Sequence, residues 1–229
     1  MNQPYSKLTV FSWSLYDFAN QPFTTLVVTF IYGTFFTQVI AENEIVGTLL
    51  WSRGITITAI LVALLSPIMG ALADRGGYRK VYLIFWTIIC ILGSFLLYFP
   101  QPGQVVFALI AFIIGNVGFE MGSVFCNAFL PDIAPKDKIG RISGYGWSFG
   151  YVGGLIALIL GLVLFINPEV PHFNLSKESF EHIRATNIMV AIWFAVFCLP
   201  TFLFVKQGKA NLSKKGMVVK DSISQLVKT

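Results

Sequence analysis

The sequence predicts an all-α integral membrane protein of six transmembrane helices. Three observations carry this. The 229 residues are 55% hydrophobic and 12% charged, about half the ~25% charge of soluble domains. Six stretches of nineteen or more residues lack Asp, Glu, Lys and Arg, at 18–41, 54–73, 81–99, 101–119, 142–166 and 185–205. A helix needs about twenty residues to cross a ~30 Å bilayer core, so each stretch can span. The basic residues also alternate in number between successive loops. With the N-terminus inside, Lys7, Arg75, Arg79, Lys80, Lys136, Lys138, Arg141, Lys206, Lys209, Lys214, Lys215, Lys220 and Lys228 are cytoplasmic, and only Arg53, Lys177 and Arg184 face out. That bias follows the positive-inside rule. It places both termini in the cytoplasm, with a bacterial plasma (inner) membrane as the expected location.

The elements follow in order. Helix 1 is expected over 9–40 and helix 2 over 47–73. Helix 3 covers 81–99 and stops at Pro100 and Pro102, which cannot continue it. Helix 4 runs over 104–130, and Pro131 and Pro135 bracket the loop after it. Helix 5 covers 141–166. An outer loop, 167–184, holds Pro168, Pro171 and both histidines, His172 and His182. These histidines read as solvated surface rather than a metal or pH-sensing pair. Helix 6 covers 187–205. Residues 1–206 thus form one six-helix bundle, and 207–229 a basic cytoplasmic tail suited to the anionic inner leaflet.

The same composition excludes several function classes. The net charge of +5 sits between spans rather than on one water-facing surface, which argues against nucleic-acid binding. Cys90, Cys126 and Cys198 fall inside spans, so neither a structural disulfide nor a metal-ligand spacing is indicated. Helix 1 follows one basic residue and precedes no small-residue cleavage site, so it reads as an uncleaved span. No zinc-protease, nucleophile-elbow or phosphate-loop motif is present. A non-enzymatic protein without a cofactor is expected.

Between helices 2 and 3 lies Gly70-Ala-Leu-Ala-Asp-Arg-Gly-Gly-Tyr-Arg-Lys80, a short basic Gly-rich hairpin. It resembles the signature between helices 2 and 3 of the major facilitator superfamily. Gly70, Leu72, Ala73, Asp74, Arg75, Gly77 and Arg79 match. Tyr78 stands where a basic residue is usual, and Tyr82 where Leu is usual. The resemblance implies a secondary transporter, with Gly70, Asp74, Arg75, Gly77, Arg79 and Lys80 as an inner-gate motif. It implies one half of a twelve-helix fold, itself two three-helix repeats of inverted topology. A second six-helix half, or self-association, is then expected as partner, in contact with the lipid bilayer.

A second resemblance is narrower. Trp13-Ser-Leu-Tyr-Asp-Phe-Ala-Asn20, Asn127-Ala-Phe-Leu-Pro-Asp-Ile-Ala-Pro135 and Arg141-Ile-Ser-Gly-Tyr-Gly-Trp147 resemble the "unknown major facilitator" branch. That branch is related to fungal vacuolar amino-acid effluxers of the autophagy pathway. Gln21-Pro22 departs from the small residues expected there, and Pro22 is expected to kink helix 1.

Two acids, Asp17 and Glu120, remain inside spans. A carboxylate in hydrocarbon costs several kcal/mol unless paired, hydrated or neutralised, so such residues mark cavities or ion paths. On helix 4, Asn116, Glu120, Ser123 and Asn127 recur at four, three and four, one narrow stripe at 100° per residue. On helix 1, Asp17, Asn20, Gln21 and Thr24 form a similar face. These are the candidate sites for a small polar solute and a coupling proton. The alternatives are an interfacial position for Asp17 and a buried structural hydrogen bond for Glu120. On helix 5, Ser143, Gly146, Gly150, Gly154, Ala157 and Gly161 recur at three or four. Small residues so spaced permit close helix contact, serving either a sliding surface or static packing.

The functional expectation is alternating-access transport of a small solute, an amino acid by family resemblance, as the N-terminal half of a transporter. The rival is a half-length product without transport, either a remnant or a membrane-assembly partner.

Overall fold

The structure, a computed structural model, describes residues 6–170 and 172–206, the side chains of residues 74–76 excepted. The predicted basic tail lies outside the described residues. Six helices are long and apolar enough to cross a membrane. They are α1 (Lys7–Ile40), α2 (Glu44–Ala73), α3 (Arg79–Leu96), α4 (Val105–Ile133), α5 (Lys136–Ile166) and α6 (Glu181–Phe204). No strand occurs among the described residues.

The helix ends follow local chemistry. The Ser6 hydroxyl accepts from the Thr9 N–H and caps α1, and Asn43 Oδ1 accepts from Val46 N–H at 3.0 Å and caps α2. Such side chains satisfy amides that the first turn leaves unpaired. The helical backbone of α2 continues to Gly76, and Gly77 closes it with φ 66°, a left-handed residue that glycine adopts without strain. The loop before α6 is shorter than the sequence predicts. α6 begins at Glu181, so His182 and Arg184 are buried helix residues rather than part of a solvated loop. His172 remains exposed. The charges of Glu181 and Arg184 disguised the first turn as loop.

α1 is the least regular helix. It is α-helical over Lys7–Pro22, π-helical over Phe23–Phe30, briefly α again, and π-helical over Phe36–Ile40. Proline at position 22 removes an amide donor and crowds the carbonyl four residues back. The following turns widen instead of breaking.

α1 packs along α5 and α6, and α3 packs along α4. The α3–α4 contact is backbone on backbone. A Cβ on Gly118 would lie 2.5 Å from Cys90 N, and one on Gly115 would lie 3.4 Å from Gly93 Cα. The interior is aromatic. Trp13, Tyr16, Phe23, Tyr32, Phe36, Phe112, Phe125 and Phe129 are fully buried, and Trp51 stacks on Phe112 with centroids 3.9 Å apart. α2 is the outlier, touching chiefly α4 and the end of α1 and leaving Leu49, Ile57, Ile60, Leu64 and Ile68 exposed.

Polar clasps fix which ends lie together. At the end that holds Ser6 and Lys206, Thr201 Oγ1 donates to Ser12 O at 2.6 Å and Lys80 Nζ to Val205 O at 3.1 Å. At the opposite end, Gly103 N–H donates to Ile40 O at 3.0 Å and Arg184 Nη1 to Tyr98 O at 2.8 Å.

Candidate functional site

The candidate site is built from α1 and α4, with α5 behind it. Asp17, Asn20 and Gln21 lie on the last two turns of α1 before Pro22. α1 can come close to α5 there because α5 offers glycine. A Cβ at Gly146 would lie 2.6 Å from Asp17 Oδ2. One at Gly150 would meet Asp17 Cβ at 3.4 Å and Gln21 Oε1 at 3.6 Å, and one at Gly154 would meet Thr25 Oγ1 at 2.6 Å and Gln21 Cγ at 3.1 Å. The glycine row of α5 therefore faces the acid and amide of α1 within this chain. It is not the open side of α5, which presents Tyr145, Trp147, Tyr151 and Leu155.

Asn20 is buried. Its Nδ2 donates to Ser123 Oγ at 3.2 Å, and Ser123 Oγ donates to Phe119 O at 3.0 Å. This contact joins the polar face of α1 to the polar row of α4. The row divides by exposure: Asn116 is buried, Ser123 half-buried, and Glu120 and Asn127 exposed. Asp17 is half-buried. Among the described residues, neither Asp17 nor Glu120 has an ion-pair partner. Carboxylates so placed must be hydrated or carry their proton. The geometry brings Asn20 to Ser123, and Asp17 and Gln21 to α5.

The hairpin residues have separate roles in the packing. Arg79 Nη1 donates to Ala128 O at 3.2 Å and pairs with Asp132 Oδ2 at 2.9 Å, tying the start of α3 to the end of α4. Lys80 reaches α6 as described. A Cβ on Gly70 would meet nothing within 4 Å. The side chains of Asp74 and Arg75 lie outside the described residues.

Other contacts around the site carry weak sequence signals. The Tyr16 hydroxyl and Thr87 Oγ1 lie 2.8 Å apart, and Trp13 Nε1 donates to Cys126 O at 2.8 Å. Trp193 Nε1 donates to Phe18 O at 3.0 Å. Only the last is foreshadowed, because Pro22 leaves the Phe18 carbonyl without its helical donor. No group of three or more His, Cys, Asp or Glu side chains that could hold a metal gathers among the described residues.

The bundle is similar in fold to the major facilitator superfamily proton:xylose symporter XylE. The TM-score is 0.68 at 13% identity, over 89% of this chain and 45% of that one. In sequence it is similar to YxiO of Bacillus subtilis (strain 168), an uncharacterized MFS-type transporter, with 25% identity over 221 residues, 95% of this chain and 51% of the relative. It is also similar to autophagy-related protein 22 of Coccidioides immitis (strain RS), with 33% identity over 90 residues, 39% of this chain and 15% of the relative. The chain spans about half the length of YxiO. The six helices are one half of the facilitator fold. The family profile described as "Vacuole effluxer Atg22 like" matches residues 49–229, and the chain belongs to that family.

Proposed function

We propose that this chain is the N-terminal half of a secondary transporter, moving a small polar solute by alternating access against a second six-helix unit. The observation that carries this reading is the Asn20–Ser123 hydrogen bond. It joins two candidate polar faces, α1 with Asp17, Gln21 and Thr24 and α4 with Glu120 and Asn127. Substrate sites of such folds lie near the membrane midplane at the interface between repeats. Glu120 and Asn127 are exposed, as groups facing a shared cavity would be. Asp17 and Glu120 are the candidates for loading a coupling proton, and an amino acid is the substrate class that kinship with Atg22 suggests.

Open small residues support a partner on α2 and α5. A Cβ at Gly70, Gly140 or Gly144 would meet nothing within 4 Å. A second unit seated there would meet bare backbone, the condition for close helix approach in lipid. The Gly77–Lys80 hairpin would then sit at the cytoplasmic gate, with both termini on that side, in a plasma membrane.

The test is uptake of radiolabelled amino acids into proteoliposomes that hold the chain alone or together with a C-terminal six-helix half from a relative. Uptake is expected only from the pair. Robust uptake by the chain alone as a demonstrated monomer would overturn the half-transporter reading.

A further inference from the structure

At the end of the bundle opposite Ser6 and Lys206, a groove of about 510 Å³ opens between α5 and α6. One wall is α6. Ala185, Ile188, Met189, Ile192, Val196 and Phe197 line it, at the three- and four-residue spacing that keeps side chains on one helix face. At 1.5 Å per residue this stripe is about 18 Å long, little more than half of a ~30 Å bilayer core. The groove is thus about one leaflet deep. The other wall is Phe165, in the π-helical end of α5, with Phe173 and Leu175 of the loop that follows. One turn before Phe165 the helices still touch, since a Cβ on Gly161 would lie 3.7 Å from Met189 Cε.

Every side chain lining the groove is apolar. One of them carries an N–H, Trp193 Nε1, and it already donates to Phe18 O. A sugar, an amino acid or an ion would lose its hydration there and find no partner. Ile192 and Val196 are exposed, so the groove is open along its side, on a helix long and apolar enough to span. At that depth the surroundings are hydrocarbon. The open glycines suited to a second six-helix unit, Gly70, Gly140 and Gly144, lie at the other end of the bundle.

The rim is strained. Phe173 has φ 61° and Asn174 φ 55°, two successive left-handed residues without a glycine, a costly arrangement. This turn sets the Phe173 ring against Phe165, with centroids 6.2 Å apart, yet leaves Phe173 75% exposed. The chain's own packing gains little from it, and strain of this kind marks segments with a task. A hydrocarbon chain in the groove would meet the open ring and complete its contacts. We propose that the groove holds one acyl chain of a membrane phospholipid from the nearer leaflet, with Phe173 over the part of the chain next to the headgroup.

The test is reconstitution of the purified chain with a phosphatidylcholine whose acyl chain carries a diazirine, then re-extraction and washing in detergent before irradiation. Native mass spectrometry should find one phospholipid retained per chain, and the photo-adduct should map to Ile188, Ile192, Val196 or Phe173. Ile188→Trp, which takes the room of about two methylenes, should lower the retained fraction roughly ten-fold. Leu203→Trp, exposed at the far end of α6, should leave it unchanged. If Ile188→Trp does not fold, the adduct map of the parent decides alone. Retention of no phospholipid, retention of a free fatty acid instead, or adducts confined to other exposed faces such as Ile57 or Ile110 overturns the proposal. So does a mass of two chains that Ile188→Trp reduces to one, which would assign the groove to a second copy.

Discussion

The indole of Trp193 on α6 donates to the carbonyl of Phe18 on α1 at 3.0 Å. Phe18 is four residues before Pro22, so its carbonyl is the one that proline deprives of a helical partner. A neighbouring helix thereby satisfies a backbone group exposed by a proline, as membrane interiors demand. The Phe18 and Trp193 rings also stack, with centroids 5.2 Å apart.

Trp193→Phe should therefore cost about 1–2 kcal/mol, because it keeps an aromatic ring but strands a buried acceptor. In a Pro22→Ala background, the new amide can reach Phe18 and the same substitution should cost less than about 0.5 kcal/mol. The double-mutant cycle, measured by reversible unfolding in detergent, isolates this coupling. Equal costs in both backgrounds would show that the indole contributes through packing alone.

Glycines of this chain should respond oppositely to substitution. Gly118→Ala drives a methyl into the Cys90 backbone and should destabilise the bundle by about 1–3 kcal/mol. Gly70→Ala meets open space and, by helix propensity, should be neutral or stabilising by up to about 1 kcal/mol. Yet a bulkier Gly70→Leu should weaken capture of a second six-helix half in a co-purification assay. Unchanged capture would move the docking face away from α2.

In a reconstituted two-half protein, Glu120→Gln should abolish uptake driven by an imposed pH gradient and spare part of the solute exchange. Asp17→Asn should weaken both, because Asp17 lies beside Asn20 and Gln21. Uptake with and without the gradient separates the two effects. If both variants follow the gradient as the parent does, the acids are structural.

Topology can be read by chemistry at exposed loops. Glu178 and Asp137 are both exposed, at opposite ends of the bundle. In intact cells a Glu178→Cys variant should react with an impermeant thiol reagent, and an Asp137→Cys variant should react only after permeabilisation. The reverse pattern would invert the assigned orientation.

The spans were legible because apolar length and charge placement are one-dimensional quantities. The start of α6 was not, because Glu181, His182 and Arg184 look like loop until α3 supplies the carbonyls that Arg184 covers. The spacing of Gly146, Gly150 and Gly154 showed a close contact but not its partner, which proved to be α1. Gly115 and Gly118, which meet Gly93 and Cys90 of α3, belong to a row of small residues, Ala108, Ala111, Gly115, Gly118 and Gly122, spaced as regularly as the glycines of α5. On α4, residue spacing placed the polar row on one stripe. Only the fold separated buried Asn116 from exposed Glu120, since that division depends on where α1 and α3 lie.

The wide turns of α1 also have an evolutionary consequence. A π turn holds one residue more than an α turn, so Phe23–Phe30 behaves as an insertion absorbed within a continuous helix. Deleting one residue there restores ordinary α geometry and leaves the flanking turns facing as before, whereas a deletion in the α turns between Asp17 and Pro22 would swing everything upstream by about 100° about the axis. Trp13 would leave the Cys126 carbonyl, and Asp17 would turn off the glycines of α5. Length variation of one residue among homologues should therefore concentrate between Pro22 and Ile31 and be rare in the α turns between Asp17 and Pro22.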